Sequence, residues 1–276
     1  MNIDKVKNII KNALYEDIFT GDITTDNLID EKNMKTAVIT AKENGILCGI
    51  DIAIMTFNML NSTLVFEILK QDGQKVLKGE DVLIIKGSTK DILKAERVAL
   101  NFLQRMSGIA SKTRKYVEEL NDDSIKLVDT RKTTPNLRIL EKYAVKIGGA
   151  KNHRFGLYDL VMIKDNHIKA SGGIKNAVER IKNNLSHAHK IEVETTCIKE
   201  VKEAIESNVD IIMLDNMDNE MIKEAIKIID KKAIIEVSGG IDFERLKYLK
   251  NLDIDIISLG TLTHSIKSLD LSLNFK

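Results

Sequence analysis

Basic residues suited to binding a small polyanion gather in one stretch of the sequence. Between Arg131 and Lys169, nine lysines and arginines stand against three acidic residues, although the whole chain of 276 residues has a net charge of only +1. Much of this positive charge lies beside threonine, glycine, asparagine and histidine, which can supply further hydrogen-bond donors. Recognition of a compact, multiply charged anion requires cations and donors of this kind in fixed positions. We therefore predict that this stretch binds such an anion.

The motif DTRKTTP (129–135) carries the first part of this prediction. It directly follows a strand-like apolar segment, so Arg131 and Lys132 should emerge where that strand ends. Pro135 is the only proline in the chain, and its fixed φ stiffens the turn and suits the start of a helix. A solvated basic loop is the alternative interpretation, and the basic motifs that follow along the chain favour a site.

The motif NHR (152–154) carries the second part, because glycines stand on both sides of it. Flanking glycines allow the backbone to approach a ligand closely. Arg154 can bind a carboxylate through two parallel hydrogen bonds, and His153 can add a second donor. Lys164 ends an otherwise apolar strand-like segment, where a lysine points either into a site or out to solvent.

Polar residues end four successive strand-like segments at a nearly constant interval. Glu194, Asp215, Ser238 and Gly260 recur 21, 23 and 22 residues apart. Two carboxylates that face a basic pocket can hold sugar hydroxyls or a complex of Mg²⁺ with phosphate. The glycine-rich turns at the last two positions lead into helices and offer backbone N–H groups to a phosphate. These residues extend the predicted site to a phosphate and to either sugar hydroxyls or a complex of Mg²⁺ with phosphate.

The pattern that carries these residues is an alternation of short apolar strands with amphipathic helices. The strand candidates are 125–130, 160–165, 190–195, 210–215, 233–238 and 255–260. Their continuous apolar character predicts a parallel sheet covered by helices, and the repeat favours a (β/α) barrel or part of one. A doubly wound open sheet is the alternative, although no GxGxxG follows a strand.

The first third of the chain shows mixed signals. An amphipathic helix is predicted near 3–15, and strands are predicted near 36–41 and 64–69. Glycines punctuate a strand–turn–strand pattern at 72–87, and a helical apolar stripe follows over 89–120. We expect this last helix to break near Ser107–Gly108.

Composition limits the class of protein. An apolar content of 43% with 30% charged residues describes a soluble globular chain, and the net charge of +1 gives no reason to expect a nucleic-acid partner. The two cysteines, Cys48 and Cys197, are far apart, which predicts neither a disulfide scaffold nor a zinc motif and fits a reducing cytoplasm. The apolar runs are too short to span a bilayer, and we expect no membrane association.

The order of these motifs resembles one known family, quinolinate phosphoribosyltransferase, the carboxylating nicotinate-nucleotide pyrophosphorylase. The matching segments cover almost the whole chain: ALYEDIFTGDITT (13–25), AERVALNFLQRMSGIAS (95–111), DTRKTTPNLR (129–138), GGAKNHRFGLYDLVMIKDNHI (148–168), IEVET (191–195), IMLDNM (212–217), EVSGGI (236–241) and ISLGTLTHS (257–265). Two positions depart from the family pattern, since Asn136 and Ala150 stand where the family usually has glycine. Asparagine tolerates a positive φ better than most residues, so the loop at 136 should keep its shape.

The resemblance implies an α/β fold made of an N-terminal α/β sandwich and an incomplete, open α/β barrel of about six βα units. The sandwich would span residues 1–108 and be joined by the tail 268–276, and the barrel would span 109–267. It also implies a cytoplasmic glycosyltransferase of de novo NAD biosynthesis. The expected reaction converts quinolinate and phosphoribosyl pyrophosphate to nicotinate mononucleotide, pyrophosphate and CO₂ with Mg²⁺. The expected assembly is a homodimer or a hexamer of dimers.

The resemblance further assigns roles to individual residues of this chain. The expected quinolinate ligands are Arg97 from a neighbouring subunit, Arg131, His153, Arg154 and Lys164. The expected ligands of phosphoribosyl pyrophosphate are Lys132, Arg138, Glu194, Asp215, Ser238, Gly239, Gly240 and Gly260. Within this set, Lys132, Glu194 and Asp215 are the expected catalytic residues, and Glu194 and Asp215 would help to hold Mg²⁺. Arg138 is expected to lie a full turn inside the following helix.

Two alternative functions remain at this point. A relative of this family implicated in molybdenum transport shares the fold and parts of the motifs, and an assay with quinolinate would separate the two. The segment DGQKVLKGEDVLIIKG (72–87) also resembles the hairpin of biotinyl and lipoyl carrier domains. A carrier presents a modifiable lysine at an exposed hairpin tip in a specific context, which this segment does not show.

Overall fold

Strands and helices alternate along most of the chain in the computed structural model, which describes residues 1–276. The chain divides into two units. One contains residues 1–115, 133–149 and 261–276, and the other contains residues 116–132 and 150–260. This grouping follows compactness alone, so the domain limits given above stay a prediction.

The elements have the following bounds. The helices are α1 (Ile3–Ile18), α2 (Ile23–Leu28), α3 (Ile50–Leu60), α4 (Thr89–Leu120), α5 (Arg138–Gly148), α6 (Asp165–Ser171), α7 (Ile174–Asn184), α8 (Ile198–Glu206), α9 (Asn219–Ile229), α10 (Phe243–Leu249) and α11 (Thr261–His264). The strands are β1 (Met34–Ala41), β2 (Gly45–Ile46), β3 (Val65–Ile68), β4 (Lys75–Val76), β5 (Asp81–Ser88), β6 (Lys126–Val128), β7 (Val161–Ile163), β8 (Ile191–Thr195), β9 (Ile211–Asp215), β10 (Ile234–Ser238), β11 (Ile256–Ser258) and β12 (Leu271–Phe275).

The first unit is built on a four-stranded sheet with the order β12-β1-β5-β3, in which each neighbouring pair is antiparallel. Helices α3 and α4 bury their apolar sides against this sheet in one core, which contains Phe57, Ile85 and Leu103 among others. A sheet with an apolar face needs such a covering layer to remove that face from water. The expected α/β sandwich is confirmed, and the tail contributes β12 at the edge of its sheet.

The expected break in the helix at Ser107–Gly108 is wrong, because α4 continues through both residues. Ser107 is buried, and its hydroxyl accepts a hydrogen bond from the backbone N–H of Cys48 at 2.9 Å. A Cβ on Gly108 would collide with the carbonyl oxygen of Lys267. The pair therefore allows other backbone segments to approach the helix closely, which is a common reason for glycine inside a helix.

The second unit contains a six-stranded parallel sheet with the order β6-β11-β10-β9-β8-β7. Five strands follow one another in chain order, and β6 lies beside β11, as in a barrel that does not close between β6 and β7. This order confirms the incomplete barrel and excludes the doubly wound sheet, in which the strand order reverses. All six predicted strands are present, with slightly shorter bounds.

Apolar stripes on the helices cover the outside of this sheet. In α9, for example, Ile222, Ala225 and Ile229 are buried at intervals of three and four residues. Because all six strands are parallel, their carboxyl ends meet at one rim, and the segments that follow them share that rim. None of the helices combines the length and the apolar character that a membrane span requires.

Candidate active site

A cavity of about 300 Å³ lies at the carboxyl ends of the barrel strands. Most of the residues that line it follow a strand or end one. They are Thr130, Arg131, Lys132, His153, Arg154, Met162, Lys164, Glu194, Met213, Asp215, Asn216, Glu236, Ser238, Gly239, Gly240 and Ser258. The cavity thus combines the cations of the two basic motifs with the carboxylates and glycines of the repeat. Ten of the thirteen residues proposed from the sequence line this one space.

The carboxylate of Asp129 joins the two basic motifs. Asp129 is fully buried at the end of β6. One of its oxygens accepts the backbone N–H of His153 at 2.9 Å, and the other accepts Nδ2 of Asn152 at 2.7 Å. A parallel bridge between Val128 and Lys151 holds the same two segments together. The DTRK and NHR segments, which are distant in sequence, therefore form one surface.

Arg131 and Arg154 both contribute positive charge to this surface. Burial, followed by the like charge of Arg131, lowers the pKa of Arg154. The Arg154 guanidinium donates from Nη1 to the carbonyl oxygen of Leu160 at 3.0 Å, which fixes the side chain. A dianion bound here would relieve the repulsion between the two guanidinium groups, so the cavity is suited to negative charge.

The imidazole of His153 has both nitrogens engaged. Nδ1 accepts the backbone N–H of Arg154 at 2.7 Å. Nε2 lies 3.3 Å from a carboxylate oxygen of Glu192 and 3.3 Å from one of Glu236, and both glutamates are fully buried. In this conformation the ring presents neither nitrogen to the cavity, which differs from the donor role expected for His153. Its assignment to quinolinate stays a prediction.

The same three side chains form a buried ionisable cluster. Burial acts to lower the pKa of His153, but the two glutamates that face Nε2 outweigh it and raise that pKa. Burial also raises the pKa of Glu192. The cluster therefore favours a proton shared between Nε2 and the carboxylates, whereas Nδ1 accepts the Arg154 N–H and carries none.

Lys164 and Glu194 form an ion pair at the ends of β7 and β8. Lys164 Nζ lies 3.0 Å from an oxygen of Glu194, and the lysine side chain keeps 43% of its surface exposed. Lys164 lines the cavity, and its assignment to quinolinate stays a prediction. His167 accepts the backbone N–H of Lys164 at 3.1 Å, so this histidine stabilises the start of α6. That contact accounts for His167 without a catalytic role.

The segments after β9 and β10 form the opposite side of the cavity. An oxygen of Asp215 accepts Nδ2 of Asn216 at 2.7 Å, and the Asn216 N–H donates to the carbonyl of Ser238 at 3.0 Å. Gly239 has a φ of +90°, and a Cβ at this position would collide with the Asn216 side chain. Arg245 in α10 donates to the carbonyl oxygens of Gly239 and Met217 and ties the two segments together. The glycine turn is thus fixed by its neighbours.

Three predicted site residues do not line this cavity. Arg97 lies exposed on α4, and Gly260 follows β11. Arg138 is the first residue of α5, where its Nε donates to the Thr133 hydroxyl at 3.0 Å. The expectation that Arg138 lies a full turn inside the helix is therefore wrong. No aspartate, asparagine, serine or threonine caps this helix, since its N-cap is Leu137, and the sequence signal was weak.

The two departures from the family glycines fit the backbone. Asn136 adopts a φ of +65°, which confirms that asparagine takes the left-handed conformation here. Ala150 is 5% exposed and follows Gly149, which ends α5 with a φ of +105°. Asn136 thus takes the conformation that glycine would, whereas Ala150 lies buried directly after the turn at Gly149.

Several residues of the cavity escaped the sequence analysis, including Thr130, Asn216, Glu236 and Ser258. Side chains two apart on a strand share a face, so Glu236 lies on the same face as Ser238, and Glu192 lies on the same face as Glu194. That period would have directed both glutamates into the barrel. The apolar neighbours of Glu236 concealed this signal.

Comparisons with known proteins agree with this architecture. A family model described as the C-terminal domain of quinolinate phosphoribosyl transferase matches residues 109–274, and the model of its N-terminal domain matches residues 22–107. The chain is 43% identical over 274 residues to a probable nicotinate-nucleotide pyrophosphorylase (carboxylating) from Bacillus subtilis, covering 99% of this chain and 94% of the relative. A relative of the same description from Methanocaldococcus jannaschii is 44% identical over 280 residues, covering 98% and 97%. The crystal structure of NadC from Streptococcus pyogenes superposes with a TM-score of 0.94 at 43% identity, over 100% of this chain and 99% of that one.

Proposed function

The chain belongs to the quinolinate phosphoribosyltransferase family, and from this premise we propose that its barrel cavity joins quinolinate to phosphoribosyl pyrophosphate. The products are nicotinate mononucleotide, pyrophosphate and CO₂, which makes the protein a glycosyltransferase of NAD biosynthesis. One observation carries the assignment. A single cavity holds arginines 131 and 154 with Lys164 on one side, and Asp215 with the glycine turn after β10 on the other.

The cationic side suits quinolinate, which is a planar dianion with two adjacent carboxylates. Arg131, Arg154 and Lys164 supply positive charge and planar donor groups to such a ligand. We assign His153 to the floor of this side and Arg97 of a second copy of the chain to its opening. That second copy makes a homodimer the functional unit, alone or within a hexamer.

The acidic side suits phosphoribosyl pyrophosphate. Glu194 and Asp215 can accept hydrogen bonds from ribose hydroxyls, and the turn at Ser238–Gly240 leaves room for a phosphate against the backbone. Arg138 and Gly260 are further candidates for this substrate. Lys132 is exposed at the rim and can neutralise the pyrophosphate as it departs.

The donor set also fits Mg²⁺. This ion prefers oxygen ligands, keeps several waters, and usually binds through one or two carboxylates together with substrate phosphates. Glu194 and Asp215 would hold it, and when bound it would offset the negative charge of the pyrophosphate. Glu194 and Asp215 are therefore assigned to both the ribose hydroxyls and the ion.

The chemistry requires positioning and charge stabilisation and no protein nucleophile. The ring nitrogen of quinolinate bonds to ribose C1 as the bond from C1 to pyrophosphate breaks, through an oxocarbenium-like state. The alkylated ring is then cationic, so it can stabilise the electron pair that remains on the adjacent carbon when the bond to CO₂ breaks. A proton then takes the place of CO₂.

The two cysteines form no disulfide, which supports a reducing, cytoplasmic location.

A single assay tests this function. The protein is incubated with quinolinate, phosphoribosyl pyrophosphate and Mg²⁺, and nicotinate mononucleotide is detected by mass spectrometry. We expect product from quinolinate and none when nicotinate replaces it, because nicotinate lacks the second carboxylate. Folded protein that forms no product from quinolinate would refute the proposal and favour the molybdenum-linked relative.

A further inference from the structure

Glu192 and Glu236 have no part in the substrate contacts assigned above, although both face His153, which is assigned to the floor of the quinolinate side. Both glutamates are fully buried, and their carboxylate oxygens have no hydrogen-bond partner. Burying two carboxylates is costly unless a partner offsets their charge. His153 Nε2, 3.3 Å from an oxygen of each, is the group that faces both.

The geometry fixes the tautomer of His153. The backbone N–H of Arg154 points at Nδ1 over 2.7 Å, so Nδ1 must offer a lone pair and carries no hydrogen. The ring hydrogen therefore lies on Nε2, which faces a carboxylate oxygen of each glutamate at 3.3 Å. A divalent cation among the three side chains would need the lone pair of Nε2 and a hydrogen on Nδ1, which the Arg154 N–H opposes. Although three ligand atoms converge here, a metal site is therefore the poorer explanation.

This tautomer connects the glutamates to the anion-binding surface. The carboxylates orient the ring through Nε2, the ring holds the Arg154 peptide through Nδ1, and Asp129 holds the peptide N–H of His153 from the other side. The side chain of Arg154 therefore leaves a backbone that is fixed at two successive N–H groups. Accurate placement of a guanidinium against a planar carboxylate requires a backbone that is fixed in this way.

We propose that Glu192 and Glu236 are positioning residues for quinolinate, which act through the Nε2–H tautomer of His153 to fix the Arg154 peptide and its guanidinium. The inference rests on the proposed function, since it identifies the anion that Arg154 binds as quinolinate. It places the effect on quinolinate and leaves phosphoribosyl pyrophosphate, on the opposite side of the cavity, unaffected.

The first test uses the substrate-free protein and is independent of the reaction. Nitrogen-15 labelling of the five histidines, with His153→Gln for assignment, reports which ring nitrogen of His153 carries hydrogen. We expect hydrogen on Nε2 and a bare Nδ1. Hydrogen on both nitrogens, or a metal bound at Nε2, would overturn the proposal.

The second test is a double-mutant cycle of Glu192→Gln and Glu236→Gln, which keep side-chain volume. Each single variant leaves one carboxylate for Nε2–H, whereas the double variant leaves none. The two losses should therefore be non-additive, and the double variant should lose at least about tenfold in quinolinate affinity, the scale of one charged hydrogen bond. Affinity for phosphoribosyl pyrophosphate should change by less than about twofold, because the two glutamates act through Arg154, which is assigned to quinolinate. The matched control is the double variant of the exposed Glu220 and Glu244, each changed to Gln.

The binding titrations distinguish a merely structural role of the two glutamates from a failure of the proposed function. Equal losses for both substrates would reveal a merely structural role and overturn the proposal, as would additive losses. If the double variant does not fold, the single variants decide, since each should still weaken quinolinate more than phosphoribosyl pyrophosphate. A wild-type protein that binds no quinolinate would instead refute the proposed function itself.

Discussion

Replacing Asp129 by asparagine should loosen the surface that binds the anion and lower the stability of the fold. The Asp129 carboxylate accepts two hydrogen bonds, from the His153 N–H at 2.9 Å and from Asn152 Nδ2 at 2.7 Å. Asparagine keeps the shape but offers one carbonyl oxygen, so its own NH₂ must face one of these two donors. The substitution therefore removes a charged acceptor and leaves a buried donor without a partner.

The magnitude follows from these two losses. A buried donor without an acceptor costs about 1–3 kcal/mol, and replacing a charged acceptor by a neutral one costs roughly 1 kcal/mol more. The free energy of unfolding should therefore fall by about 2–4 kcal/mol. For a protein of this size, such a loss lowers the melting temperature by roughly 3–7 °C. Quinolinate binding should weaken as well, because the carboxylate joins the two basic motifs.

The assay is a thermal melt with and without quinolinate, and Asp123→Asn is the matched control. Asp123 lies exposed six residues earlier in the chain, so its substitution should leave the melting temperature within about 1–2 °C, as expected for a surface change. If Asp129→Asn behaves like this control, the buried carboxylate does not hold the two motifs together. In that case the account of Arg131 and Arg154 as one surface would be refuted.

Four further outcomes are expected. Arg131→Ala should lose roughly 10²–10³ in rate, the scale for one preorganised charge-stabilising donor, whereas Arg180→Ala on the exposed face of α7 should not; a rate within twofold of wild type would remove Arg131 from the site. Gly239→Ala should raise the KM for phosphoribosyl pyrophosphate and spare quinolinate binding, because the new Cβ would strike Asn216 at a φ of +90°. Gly108→Ala should lower the melting temperature without changing either KM, because its Cβ would strike the backbone carbonyl of Lys267, and neither residue lines the cavity. Chelation by EDTA should abolish turnover, and Mg²⁺ should restore it; full activity in EDTA would contradict the assigned metal dependence.

Local pattern was sufficient for the barrel, because each of its strands is a short apolar run that ends in a polar residue. A residue such as Asp215 is recognisable for that reason, since it interrupts the run where the strand must end. The mistaken helix break at Gly108 shows the limit of this reasoning. Glycine is needed there because the backbone of Lys267 approaches the helix closely. A contact between residues so distant in sequence leaves no local signal.

The candidate site was predictable where charge or glycine marked it, and not where burial disguised it. Arg131 and Arg154 stand among polar residues, so the sequence indicates a site there. The glycines around Gly239 mark the turn in the same way. Glu236 lies among isoleucine and valine in a strand, so its sequence neighbours suggest a core position. Only the arrival of His153 from another loop reveals why a carboxylate is tolerated there.

The pairing of β12 with β1 has a consequence for how the chain is made. Residues 37–41 of β1 hydrogen-bond to residues 271–275, which are translated only after every strand of the barrel. A nascent chain can thus complete its barrel while one edge of the N-terminal sheet stays open. Open sheet edges invite pairing with other chains, so the edge of β1 is exposed to such pairing during this interval. Strand β12 therefore protects the N-terminal sheet as well as extending it.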